Sequence, residues 1–186
     1  NNNNNKIEPV NDVNIPDLKA SANTVLHLAQ SIEPNKNHQL FFDNWFTSVP
    51  LMEHLATRGI WCCGTVRPNR IQGIKSSSEA DKALMKKGRG SYEAKKLVDS
   101  ECNLVYVRWH DNKIVNLLST FADIHPISMI QRFDKKERKM VQVSYPDIVR
   151  RYNTSMGGVD MADCLISLYY SNQVQEVLHE IGLPHV

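Results

Sequence analysis

The stretch from His38 to Val66 leaves this chain few folds to choose from. A short apolar run, His38 to Phe42, ends at Asp43, and Thr47 or Ser48 then stands before Pro50 in the order that starts a helix. Leu51, Met52, Leu55 and Ala56 fall on one helical face, Gly59 ends the helix, and Ile60 to Val66 reads as a second strand. Strand, helix and strand in this order predict a parallel crossover, because parallel neighbours need a connection long enough to hold a helix. The fold class expected is therefore α/β, with Asp43 at the carboxyl end of a strand, where functional residues of such sheets gather.

The rest of the chain divides around this unit. Asn1 to Asn5 is low in complexity, and nothing up to Pro16 has a periodic apolar pattern, so residues 1–16 are expected to be disordered. Ser21 to Ser31 carries Val25, Leu26, Leu28 and Ala29 in a short helix-compatible pattern, and Glu33 to Asn37 is turn-like. Arg70 to Lys96 is rich in Ser, Lys and Gly and reads as a long loop with at most a short helix near Glu79 to Lys86. Two hairpins follow: Leu104 to Trp109 with Ile114 to Leu118 about Asp111-Asn112, and Met129 to Phe133 with Met140 to Val143 about the charged residues 134–139. Tyr145-Pro146-Asp147 opens a helix through Tyr152, Gly157-Gly158 breaks it, and another helix is expected from Val159 or Asp160.

Charge is unevenly spread. Residues 69–143 carry 15 Lys and Arg against 9 Asp and Glu, an excess of +6, whereas the remaining residues hold 7 against 11, or −4. A basic centre between carboxylate-bearing flanks suits a protein that grips phosphate and holds metal, although a solvated charged surface would look the same. No apolar run reaches the length of a membrane helix, the N-terminus does not resemble a secretory signal, and Cys62, Cys63, Cys102 and Cys164 have no zinc spacing. A reducing compartment, cytosolic or nuclear, is expected, with no membrane partner. The histidines lack metal spacing and no Ser-His-Asp signature occurs.

Three carboxylates carry the candidate chemistry. Asp160 and Asp163 stand three apart after a glycine pair, so a helix there would put both on one face, and hard divalent cations take such oxygen ligands. Taken alone, an aspartate before Asn44-Trp45-Phe46-Thr47-Ser48 is an ordinary turn or cap residue. Trp45 and Phe46 are expected to be core anchors for the helix that follows. Arg67, Arg70, Lys86, Lys87, Arg89, Lys135, Lys136, Arg138 and Lys139 form the basic set that could meet phosphate, persuasive only as a cluster.

Several words in one order resemble the piggyBac family of DDE transposases and the proteins derived from it. They are Leu40 to Leu51, Gly64-Thr65-Val66-Arg67-Pro68-Asn69-Arg70, Lys87-Gly88-Arg89-Gly90-Ser91, Val107 to Lys113, Leu117-Leu118-Ser119-Thr120 and Tyr152 to Asp163. The resemblance implies a partial RNase H-like catalytic domain interrupted by a β-rich insertion. Residues 17–68 and 144–168 would be its two RNase H-like parts, 69–143 the basic insertion and 169–186 a divergent tail. It also implies that Asp43 and Asp160 are the second and third catalytic aspartates and that Asp163 is an added acidic ligand. A completed site would hold Mg²⁺ or Mn²⁺, the partner would be DNA, the protein could form a homodimer, and its compartment would be nuclear. The family's first catalytic aspartate should lie on a strand well upstream of Asp43, and neither Asp12 nor Asp17 is a good substitute. The leading expectation is thus a transposase-derived fragment that binds DNA or keeps a vestigial catalytic site. The alternatives are part of an active transposase whose first aspartate lies upstream, and a domesticated protein-interaction module with no DNA role.

Overall fold

A computed structural model describes residues 16–74, 78–97, 100, 102–135 and 137–157. The expected crossover is present: β1 (Gln39–Phe42) and β2 (Trp61–Thr65) are parallel, Gln39 opposite Trp61 and Phe42 opposite Gly64, and α2 (Val49–Thr57) joins them. Pro50 sits in the first turn of α2, and Leu51, Met52 and Leu55 are fully buried along one face. Gly59 has φ +67°, and a Cβ there would stand 2.9 Å from the Cα of Asn35, so both conformation and space require glycine.

The helix α1 (Ala20–Ala29) buries Ala22, Leu26 and Ala29 at helical spacing. Its start is held by Asp17, whose Oδ1 accepts from Asn23 Nδ2 at 2.7 Å, and its end by Arg58, which donates to the carbonyls of Ala29 and Ile32 at 3.1 Å each. The guanidinium ties α1 to the end of α2.

Beyond β2 the chain forms α3 (Ser78–Lys86), then β3 (Tyr92–Lys96), β4 (Val105–His110) and β5 (Ile114–Ser119). These strands join the first two in one sheet of order β1-β2-β5-β4-β3, in which β5 runs antiparallel to β2 and to β4, and β3 antiparallel to β4. The first hairpin falls where the sequence predicts it. The loop expected across residues 70–96 instead holds β3, whose Glu93, Lys95 and Lys96 conceal it: as an edge strand it needs little apolar surface once its backbone pairs with β4.

The second hairpin, β6 (Ser128–Asp134) with β7 (Lys139–Tyr145), forms a separate two-stranded sheet. It leads into α4, helical over residues 147–157. Side-chain alternation divides the core between the two faces of the five-stranded sheet. Leu40, Phe42, Cys62, Tyr106 and Leu118 pack with α1 and α2 on one side. Phe41, Cys63, Val105, Val107 and Leu117 pack on the other with Val143, Tyr145, Ile148 and Val149. Trp109 Nε1 donates to the carbonyl of Ser144 at 2.8 Å and Asp147 N to that of Ile124 at 3.0 Å, fixing the hairpin and α4 on that face. Among the described residues no helix is long and apolar enough to cross a membrane.

Candidate functional site

The end of β1 delivers Asp43 to solvent, and a dense set of local hydrogen bonds fixes the turn that follows. Asp43 Oδ1 accepts from Trp45 N at 2.8 Å, while its carbonyl accepts from Thr47 Oγ1 at 2.8 Å and from the amides of Phe46 and Thr47 at 3.3 and 3.2 Å. Arg70 Nη1 donates to the carbonyls of Asn44, Trp45 and Thr47 at 2.8, 2.9 and 3.2 Å, and Arg67 Nε to Asn44 Oδ1 at 3.3 Å. Both arginines, expected on the strength of charge to meet phosphate, thus brace the Asp43 turn.

The turn also corrects one expectation. Phe46 packs against the core, but Trp45 is 57% exposed. The hydrogen bond from its amide to Asp43 Oδ1 makes an Asx turn, whose geometry leaves the indole outside while Phe46 enters.

Asp43 lines an open cleft of about 900 Å³ together with Phe41, Arg132, Tyr152, Met156 and Gly157. One wall is therefore the end of β1 and another is the last described turn of α4. Tyr152 Oη shares a 3.2 Å hydrogen bond with Thr65 Oγ1, and burial pushes its phenol pKa up, with the negative charge of Asp43 adding in the same direction. At the start of α4, Asp147 is bridged by Arg150 and by Arg151 Nε at 2.6 Å. Burial alone would raise its carboxyl pKa, but the two guanidinium groups outweigh it and hold the group below its ordinary value.

Asp160 and Asp163 lie outside the described residues, so Asp43 is the one predicted metal ligand whose surroundings are described. Its Oδ2 has no protein donor among the described residues, which leaves a hard oxygen free for a cation of the Mg²⁺ or Mn²⁺ type. Among the described residues no three His, Cys, Asp or Glu side chains gather to hold a metal ion. In chemical terms the cleft offers one carboxylate, aromatic walls and a cation, Arg132. That arginine was not singled out from the sequence. The sequence carries no signal for it: only the fold shows that on β6 Ile130 and Arg132 are half-buried while Met129 and Phe133 are exposed.

The other basic residues collect elsewhere. Arg89 bonds Asp111 through Nε at 2.6 Å and donates to the carbonyl of Phe133 at 3.0 Å, which brings the turn after α3 to the end of β6. Lys86, Lys135 and Arg138 are exposed, Lys87 pairs with Glu93 at 3.0 Å and Lys139 with Glu137 at 3.3 Å, while Lys136 lies outside the described residues.

The family model described as Transposase IS4 matches residues 4–177. The chain is 37% identical over 151 residues to the human PiggyBac transposable element-derived protein 3, a match covering 80% of this chain and 24% of that protein. It is 35% identical over 132 residues to the human PiggyBac transposable element-derived protein 2, covering 71% of this chain and 22% of the relative. The fold is similar to a piggyBac transposase solved by cryo-electron microscopy as a synaptic complex with hairpin DNA, with a TM-score of 0.53 and 24% identity over 79% of this chain and 27% of that one. The chain thus spans about a quarter of the length of these relatives.

Proposed function

Because the chain belongs to the IS4-type transposase family, among its piggyBac-derived members, we propose that it forms part of a DNA-processing catalytic domain and grips DNA beside the Asp43 cleft. The observation that carries this reading is the cleft itself, which Asp43 and Gly157 both line, with Asp160 only a few residues further along the chain. On this reading residues 17–68 and 144–168 are the RNase H-like parts, with 69–143 inserted between them. The α4 helix supports it by packing Ile148 and Val149 on the same sheet face as Phe41, the neighbour of Phe42 at the end of β1.

Asp43, Asp160 and Asp163 would then hold the divalent cations, Mg²⁺ or Mn²⁺, which when bound activate a water or a 3′-hydroxyl and steady the leaving oxygen. The protein's own contribution is positional. The Asp43 turn is braced by Arg70 and Thr47, so the carboxylate keeps its direction as DNA arrives. The exposed cations around the β6–β7 tip supply the sequence-independent hold on the backbone. DNA is the proposed partner, the nucleus the proposed compartment and a homodimer the proposed assembly.

Asp17, engaged at the start of α1, is not free to serve as a first aspartate. The isolated chain should therefore bind DNA in a salt-dependent manner without cutting it. A mobility shift at low salt and a strand-nicking assay with Mg²⁺ or Mn²⁺ test both halves of the proposal. Nicking that Asp43→Asn abolishes would favour an active transposase site, and absence of any DNA shift would favour a protein-interaction module.

A further inference from the structure

We propose that Arg132 is a phosphate-binding residue of the Asp43 cleft, receiving a DNA backbone phosphodiester through its guanidinium; the inference rests on the DNA reading above. Arg132 lies on β6 opposite Val141, on the side where Ile130 and Val143 pack into the core, and it lines the same cleft as Asp43. Its Nε is shielded from solvent and has no hydrogen-bond partner.

That is unusual within this protein. Arg58 and Arg70, also half-buried, donate to backbone carbonyls, Arg89 and Arg108 bond carboxylates, and Arg151 bonds Asp147. Arg132 alone among the half-buried arginines described lacks such a partner. A guanidinium cannot shed its proton to escape burial, so a cation held this way calls for an anion. Asp43, on the facing wall, forms no ion pair with it among the described residues. The open cleft has room for a phosphodiester, whose two non-bridging oxygens match the parallel N–H donors of the fork. A phosphate between Arg132 and Asp43 would also stand where a cation on Asp43 could reach it.

The test uses the whole 186-residue chain. Binding of a fluorescein-labelled DNA hairpin is followed by anisotropy in EDTA from about 50 to 200 mM salt, the range over which counterion release is steep. Arg132→Gln is expected to lower the slope of log affinity against log salt by about 0.9, the contribution of one phosphate, and to weaken binding equally for unrelated sequences. Arg132→Lys should restore the slope but only part of the affinity, because a point charge lacks the fork. Thermal melts of both variants run alongside. If Arg132→Gln binds with the wild-type slope, the inference fails while the DNA reading stands. If the melting temperature drops and the slope does not, Arg132 is an internal ion-pair partner and the inference is overturned. It is overturned equally if both variants unfold. If the wild-type chain shows no salt-dependent binding, the DNA reading and this inference fall together.

Discussion

Gly64 decides at a single position whether the Asp43 turn can close. A Cβ there would lie 2.6 Å from the carbonyl oxygen of Phe42 and would also strike Thr47 Oγ1, the hydroxyl that bonds the Asp43 carbonyl. Neither backbone nor a fully buried threonine can retreat, so Gly64→Ala should lose about 1–3 kcal/mol of stability through overpacking, measured by urea denaturation. Asp147 offers a second measurement. Its carboxyl is held below the ordinary value of 3.8, so its contribution is complete above that pH and fades as the pH drops through the lower folded-state value. Asp147→Asn should therefore destabilise the protein by about 2 kcal/mol at neutral pH. The gap from wild type should shrink in melts below pH 4 or so. The place of Asp43 at the end of a strand was legible from the chain's words, but the bracing role of Arg70 was not. Charge says that an arginine seeks an anion, and only the folded turn shows three carbonyls converging on it.

At the scale of elements, the sequence is clearest where periodicity and stop signals agree. β1, α2, β2 and both hairpins fall within a residue or two of where apolar runs and turn residues put them. β3 was hidden because its register is supplied by β4, across the eight residues of intervening chain, and not by its own side chains. Lys135 and Arg138 lie on the turn between β6 and β7, where Arg138 adopts φ 49°, Lys139 begins β7, and Lys136 falls between them in the sequence. Replacing these four with Ala should flatten the salt dependence of DNA binding by about 0.9 for each phosphate they neutralise. Lys139 is expected to contribute least, because Glu137 already pairs with it. An unchanged slope would mark the tip as a solvated turn.

For the whole molecule, the sheet stands between a helical layer and a layer made of the second hairpin and α4, and the candidate chemistry lies where that second layer meets the end of β1. The approach of Asp43 to Asp160 across the intervening chain is the strongest global expectation. It can be read with cysteines placed at both positions in a chain whose Cys102 and Cys164 are replaced by Ser. Cys62 and Cys63 can stay: both are buried, and burial pushes the Cys63 thiol up to about 12, so neither competes for a maleimide. A short bis-maleimide should link the two new thiols within one polypeptide, and failure to do so at any reagent excess would refute the shared cleft. The sequence carried the α/β class but not this layering, because no local signal tells β5 to settle against β2.

The two borders of the five-stranded sheet are unlike. β3 closes one side with Glu93, Lys95 and Lys96, charges that discourage a further strand from adding. β1 closes the other with Gln39, Leu40, Phe41 and Phe42, uncharged throughout, and its outer row of amides and carbonyls meets no strand among the described residues. Such a border is a template for strand addition, so the purified polypeptide should self-associate as its concentration rises, and a lysine at Gln39 should make it easier to handle in solution.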